Sequence, residues 1–350
     1  MGSSHDPAFT VRGRAAAGNP KNRFERLDVE LEAPPPDREA TLVLRDTSRS
    51  IVSRNQSPDV PFDVSLNPYR GCEHGCIYCY ARPTHEYLGF SAGLDFETRI
   101  LAKEDAPELL RRALTAKSWT PSTLAMSGVT DPYQPVEASL GITRRCLEVL
   151  AELRHPVGVI TKSALVARDV DLLGALAAHD AASVALSITS LDPEVARRME
   201  PRAASPRRRL EAIGMLAEAG VPVGVMVAPI VPGLTDHEMP AILEAAAEAG
   251  ASFAAFTVLR LPGAVEGLFD DWLERHHPAR RQKVMSRLRT LRGGAVHDAR
   301  FGHRMHGWGV FADQIAGLFH AARRKHGLAR RGAALSTAAF RKPGEQTRLF

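Results

Sequence analysis

Between Phe62 and Leu259 six short apolar runs alternate with helix-length stretches, and this rhythm constrains the fold more than anything else in the 350-residue chain. The runs are Phe62–Leu66, Thr123–Gly128, Val157–Thr161, Ser183–Thr189, Val221–Pro229 and Ala251–Leu259. Several are near-continuously apolar over strand length, as strands buried on both faces are. Helical patterns lie between them near Ala106–Ser118, Leu140–Leu153, Asp169–Ala178, Pro206–Ala219 and His237–Ala249. Repeated β-α units predict a parallel sheet with right-handed crossovers. Either a barrel-like α/β fold or an open doubly wound sheet fits. No G-x-G-x-x-G follows the first run, which counts against the dinucleotide-binding form of the open sheet.

Outside this region the composition changes. Residues 1–45 are rich in Pro, Ala and charge and read as a flexible leader, without the apolar core of a secretory signal. No apolar run reaches the roughly 18 residues of a membrane span, so a cytoplasmic protein is expected. From Arg275 to Phe350 there are 17 Lys and Arg against 3 Asp and Glu, while the other 274 residues carry 28 against 37. The expected division is therefore a leader (1–45), a core (46–275), a basic helical extension (276–328) and a loose tail (329–350). A basic C-terminal quarter can follow a nucleic-acid backbone, or it can be a solvated arginine-rich surface.

Three of the four cysteines, Cys72, Cys76 and Cys79, form a C-x₃-C-x₂-C cluster directly after the first strand candidate. Bunched thiols in a cytosolic chain point to metal rather than to a disulfide framework. A structural zinc wants four ligands, usually as two spaced pairs. His74 lies badly for the same tetrahedron, His85 would have to loop back, and Cys146 is 67 residues past Cys79 on a helical pattern that suits a buried free thiol. The other option is an iron–sulfur cluster, in which three thiolates leave one iron without a protein ligand. An open coordination position admits an exogenous molecule, which is what catalysis needs.

The cysteines with Tyr78 before the last of them resemble the signature of the radical S-adenosylmethionine (SAM) superfamily. The blocks "SPDVPFDVSLNPYRGCEHGCIYCYARPTHEYLG", "TDPYQPVE", "VITKSALVARDVDLL", "LSITSLDPEVARRMEPRAASPRRRLEAIGMLAEAGVPVGVMVAPIVPGLTD" and "LRLPGAVEGLFDDWL" resemble one branch, the uncharacterised radical SAM proteins related to spore photoproduct lyase. The resemblance covers roughly Arg45 to Leu328. It implies a partial (β/α)₆ TIM-type barrel with a [4Fe-4S] cluster held by Cys72, Cys76 and Cys79. By the same resemblance SAM chelates the open iron through its amino and carboxylate groups and is cleaved by one electron to a 5′-deoxyadenosyl radical, which takes hydrogen from substrate. That electron calls for a donor such as flavodoxin or ferredoxin.

The resemblance also assigns SAM contacts, each with a plainer reading beside it. Tyr78 is expected near the adenine, or simply packed in the loop. Thr130 and Asp131, in "SGVTDP", can accept from the methionyl ammonium, or form an Asx-type turn before Pro132. Lys162 and Ser187, at the ends of the third and fourth strands, match a carboxylate-binding pair in photoproduct lyases. Arg202 is a weaker candidate, and the backbone at Ala228 and Ile230 is expected to meet the adenine edge. One departure stands out. Photoproduct lyases carry a hydrogen-donating cysteine in the loop matching Ser127–Asp131, and this chain has none between Cys79 and Cys146. Repair of the thymine spore photoproduct by that route is not expected, and Tyr133 is the alternative donor weighed against a structural role.

The chain ends in "QTRLF". This Q-x-x-L-F form, with Gln346, Leu349 and Phe350, resembles the peptide by which bacterial replication and repair proteins dock on the DNA sliding clamp. The leading expectation is a radical SAM enzyme acting on nucleic acid. The alternatives are a peptide or small-molecule substrate, and a non-catalytic iron–sulfur or zinc module that binds nucleic acid.

Overall fold

The structure, a computed structural model, describes residues 11–25 and 38–342. Its strands in chain order are β1 (Leu42–Arg45), β2 (Val52–Arg54), β3 (Val64–Leu66), β4 (Tyr69–Arg70), β5 (Arg99–Ala102), β6 (Leu124–Met126), β7 (Val157–Thr161), β8 (Ala182–Ser187), β9 (Val223–Ile230) and β10 (Phe253–Val258). Seven of them form one sheet in the order β10-β9-β8-β7-β6-β3-β2, all parallel except β2. From β3 to β10 the spatial order follows the chain without reversal, so there is no switch point of a doubly wound sheet. The chain is a singly wound partial barrel of six β-α units.

Helices Ala106–Thr115, Ile142–Leu153, Val170–Ala177, Pro206–Glu218 and Met239–Glu248 cover the outside. Their inward residues, among them Leu110, Leu150, Leu173, Ile213 and Leu243, are fully buried against Leu124, Val157, Val184 and Val225. The fourth of the five predicted helices begins where Pro206 fits a first turn that needs no N–H, with Ser205 capping Arg208 N. Register places Leu66 beside Met126, Thr161 beside Leu186 and Ser187 beside Met226. The strand ends therefore share one rim.

A second, three-stranded sheet, β1-β5-β4, was not expected from the sequence. Its strands are two to four residues long, and β4 and β5 bracket the cysteine loop. The helices Pro193–Met199 and Val265–His276 were likewise not foreseen.

The seam between β10 and β2 is spanned by residues 302–305. Val258 N donates to Met305 O at 2.8 Å on one side. On the other, Gly302 N (2.7 Å) and Arg304 Nε (2.5 Å) donate to the Asp59 carboxylate. Helices Pro278–Leu291 and Val310–Lys325 flank this bridge in sequence, and the second packs on Met239–Glu248.

Parts of both expected loose ends are packed. Val11, Ala15 and Ala16 are buried beside the cysteine loop. Residues 329–342 cross the barrel end opposite the rim: Ala329 N donates to Ser252 O (2.9 Å), Ser336 N to Asp180 O (2.8 Å) and Arg341 N to Leu153 O (3.0 Å). These carbonyls lie just ahead of β10, β8 and β7, where backbone groups want partners. Among the described residues no helix is long and apolar enough to cross a membrane.

Candidate active site

Cys72, Cys76 and Cys79 are free thiols on the loop leaving β4, the first two buried and the third half-buried. The backbone fixes the loop at several points. Cys72 N donates to Phe96 O (2.9 Å), Ile77 N to Met199 O (3.0 Å) and Cys79 N to Cys76 O (3.1 Å). Gly75 adopts φ +65°, and a Cβ there would stand 2.6 Å from Glu97 Oε2, so only glycine fits.

Arg82 holds the loop from below. Its guanidinium is fully buried and donates to the carbonyls of Cys76 (3.0 Å), Gly75 (3.1 Å), Ala92 (3.1 Å) and Gly93 (2.9 Å), and to Glu97 Oε1 (2.5 Å). Glu97 in turn accepts from Ala15 N and Ala16 N, both at 3.1 Å. Beside Cys72, Glu73 N donates to Gln134 Oε1 (2.8 Å) and the Glu73 carboxylate pairs with Arg202 (3.0 Å). Arg202 therefore reaches the cysteine loop, through Glu73.

Burial pushes all three thiols above their ordinary titration range. At Cys79 the Ala81 N–H and the charges of Arg82, Lys162 and Arg260 oppose it. Soft, buried thiols, two of them with cations nearby, suit thiolate–iron bonds. Among the described residues, no three or more His, Cys, Asp and Glu side chains gather as one metal ion would require. Cluster ligands bind separate irons and need not converge on a point. Neither histidine weighed as a fourth ligand faces the thiols: His74 Nδ1 lies 3.3 Å from Asp131 Oδ2, and His85 is buried against Phe90 and Phe96. Cys146 is fully buried in the barrel core, as is Tyr133.

The rim brings most of the other candidates together. Lys162, one residue past β7, donates from Nζ to Ala228 O (2.9 Å) and stands 3.5 Å from Glu200 Oε1. The same Glu200 oxygen accepts from Thr189 Oγ1 (2.8 Å) and from the Tyr78 hydroxyl, while its other oxygen takes Arg209 Nη2. Arg209 Nη1 continues to Ser187 O (2.8 Å). Burial alone would raise the Glu200 carboxyl, but Arg209, Lys162 and Tyr78 outweigh it and hold it at about 2. Tyr78, Lys162, Ser187 and Ala228 thus meet around a carboxylate that sequence reasoning passed over. The available signal was charge: Glu200 is the single acid among six arginines from Arg197 to Arg209.

Asp131 and Thr130 are committed to the protein. Asp131 accepts from Tyr133 N (2.9 Å), Thr161 Oγ1 (2.7 Å) and Lys162 N (2.7 Å). Burial pushes its carboxyl up, yet His74 and these donors hold it below the usual carboxylate range. The Asx-type turn is thus present, and it also fixes the Lys162 backbone. Thr130 Oγ1 donates to Tyr69 O at 3.0 Å. Ile230 is fully buried, with its carbonyl accepting from Leu259 N (2.9 Å).

Comparison with known proteins agrees with this geometry. The radical SAM superfamily profile matches residues 66–246. An uncharacterised protein of Mycobacterium tuberculosis is 39% identical over 234 residues, 66% of this chain and 68% of that one. The radical SAM Nalpha-GlyT isomerase of Pseudomonas phage M6 is 26% identical over 177 residues, 50% of this chain and 35% of that one. In fold, spore photoproduct lyase complexed with dinucleoside spore photoproduct aligns with a TM-score of 0.56 at 15% identity, over 82% of this chain and 81% of that one. A profile match across more than half of the chain, with the thiol loop at the head of its barrel, decides membership: this chain belongs to the radical SAM superfamily and is an enzyme whose cofactors are a [4Fe-4S] cluster and S-adenosylmethionine.

Proposed function

We propose that the chain holds its cluster through Cys72, Cys76 and Cys79 and directs radical chemistry at nucleic acid, to repair or modify a base. When bound, cluster and SAM together supply a 5′-deoxyadenosyl radical that abstracts hydrogen from the substrate. The chain's own part is to hold SAM at the rim. Lys162 and Arg209 share one carboxylate, Glu200, and Lys162, at 3.5 Å the looser of the two, keeps N–H groups for a second anion. Burial makes its charge costly unless such an anion joins it. The SAM carboxylate meets this need at Lys162, with Ser187 beside it on β8, Tyr78 beneath, and the Ala228 backbone opposite. Asp131 acts as a positioning residue, through Lys162 N. Lys162→Ala is expected to weaken SAM binding to the reconstituted enzyme about ten- to a hundredfold, as loss of a charged hydrogen bond does. Equilibrium binding reads this directly, and unchanged affinity would rule out the role.

The observation that carries the nucleic-acid reading is the placement of the basic C-terminal segment. Residues 302–305 lie at the rim, bonded to the end of β10, so this part of the basic extension, with Arg304, borders the mouth of the barrel. The same placement supports dividing the chain into a core (46–275) and a basic helical extension (276–328) that meets the substrate. The fold shared with a lyase complexed to a dinucleoside lesion supports it. The test is anaerobic turnover with lesion-containing oligonucleotides deuterated at the damaged base. Deuterium appearing in 5′-deoxyadenosine is expected, and none from any oligonucleotide, with transfer from a peptide or small molecule instead, would overturn the reading.

Two partners complete the proposal. A flavodoxin or ferredoxin supplies the electron. The sliding clamp binds Gln346, Leu349 and Phe350, which lie outside the described residues. The described chain ends near Lys342, whose Nζ donates to Ala116 O (3.0 Å) at the barrel end away from the rim. The terminal peptide is expected to bind purified clamp; no binding at about 100 μM, weak for such peptides, would end this part of the proposal.

A further inference from the structure

The cations around the end of β10 have acceptors, with one exception. Arg304 pairs with Asp59, Arg300 with Asp298 (2.7 Å), and Arg292 donates to Leu259 O (2.6 Å). Arg260, two residues past β10, is half-buried, and its guanidinium has neither a hydrogen-bond nor an ion-pair partner among the described residues. The guanidinium lies over the Tyr80 ring, 4.4 Å from its centroid. Tyr80 directly follows Cys79, and its hydroxyl donates to Gly128 O (2.5 Å), which fixes the ring at the mouth of the site.

Stacking uses the face of a guanidinium and leaves its in-plane fork of N–H groups free. A fork held rigid on an aromatic ring is preorganised for two oxygens of one anion. Burial lowers the Arg260 pKa, which is the sign of a charge short of compensation. The geometry points to Arg260 as the binding site for a backbone phosphodiester of the substrate, next to the base under attack. Tyr80, 46% exposed, and Phe301, 55% exposed against Arg304, then offer aromatic surface for base stacking. This assignment rests on the nucleic-acid reading and narrows it, to a substrate recognised by its linking phosphate as well as by its base.

The test uses anaerobically reconstituted enzyme with SAM and two probes, a fluorescent thymidylate hexamer and its uncharged methylphosphonate counterpart. The unaltered enzyme is expected to bind the charged probe about tenfold more tightly, and Arg260→Gln to erase most of that difference while binding the neutral probe as before. Arg260→Lys should restore part of it, and the salt slope for the charged probe should fall by about 0.7 in Arg260→Gln. Equal loss for both probes, or no loss for either, overturns the phosphate assignment while the nucleic-acid reading survives. Failure of the unaltered enzyme to bind either probe overturns both.

Discussion

Cys76→Ala, reconstituted with iron and sulfide without oxygen, is expected to yield no 5′-deoxyadenosine above the uncatalysed background. Its iron should fall from about four per chain to below about one. Cys76 sits in the middle of the loop, and its carbonyl and backbone are held by Arg82 and Cys79. The loop geometry therefore survives loss of the sulfur, whose packing costs only about 1 kcal/mol. A cluster lacking one of three ligands has no spare thiol to recruit, because Cys146 is enclosed in the barrel core. Iron analysis, the visible spectrum and product chromatography measure the outcome. Full iron with normal SAM cleavage in the variant would overturn the ligand assignment, and stoichiometric zinc in the parent would favour a structural site.

Arg82→Leu should be the most damaging single change to stability. Arg82 and Glu97 are each fully buried, and removing one partner leaves a charge without compensation. Such losses run to about 3–5 kcal/mol, a large share of the roughly 5–15 kcal/mol that holds a typical domain. Four backbone carbonyls of the cysteine loop and its neighbour each lose a donor at the same time, although Cys76 O keeps the Cys79 N–H. Chemical denaturation of the metal-free protein reads the cost. Pairing the change with Glu97→Leu should recover part of it, because the stranded carboxylate is then gone. A loss below about 1 kcal/mol would show that water reaches Glu97 and that the pair is not the clamp described above.

The repeating fold was legible because its signal is local. A parallel strand buried on both faces must be apolar along its length, and each of the six expected runs overlaps one. The three-stranded sheet was not legible, since two-residue Tyr69–Arg70 carries no periodicity and exists only because β5 lies opposite. Of the proposed site, the thiols stood out by their spacing and Lys162 by its position at a strand end. Glu200, Arg209, Arg82 and Glu97 did not, for the side chains they pair with lie 9 to 122 residues away and they look, in the sequence, like surface charge. Thr130 and Asp131 illustrate the converse: a residue type that suits an ammonium also suits a turn, and the structure commits both side chains to neighbouring protein groups.

The bridge across the barrel seam has a consequence for how the molecule is made. Asp59 waits for Arg304, which emerges from the ribosome 245 residues later. Until then the seam between β10 and β2 is unbridged, so the wall of the barrel is tied shut only after every one of its strands has been made.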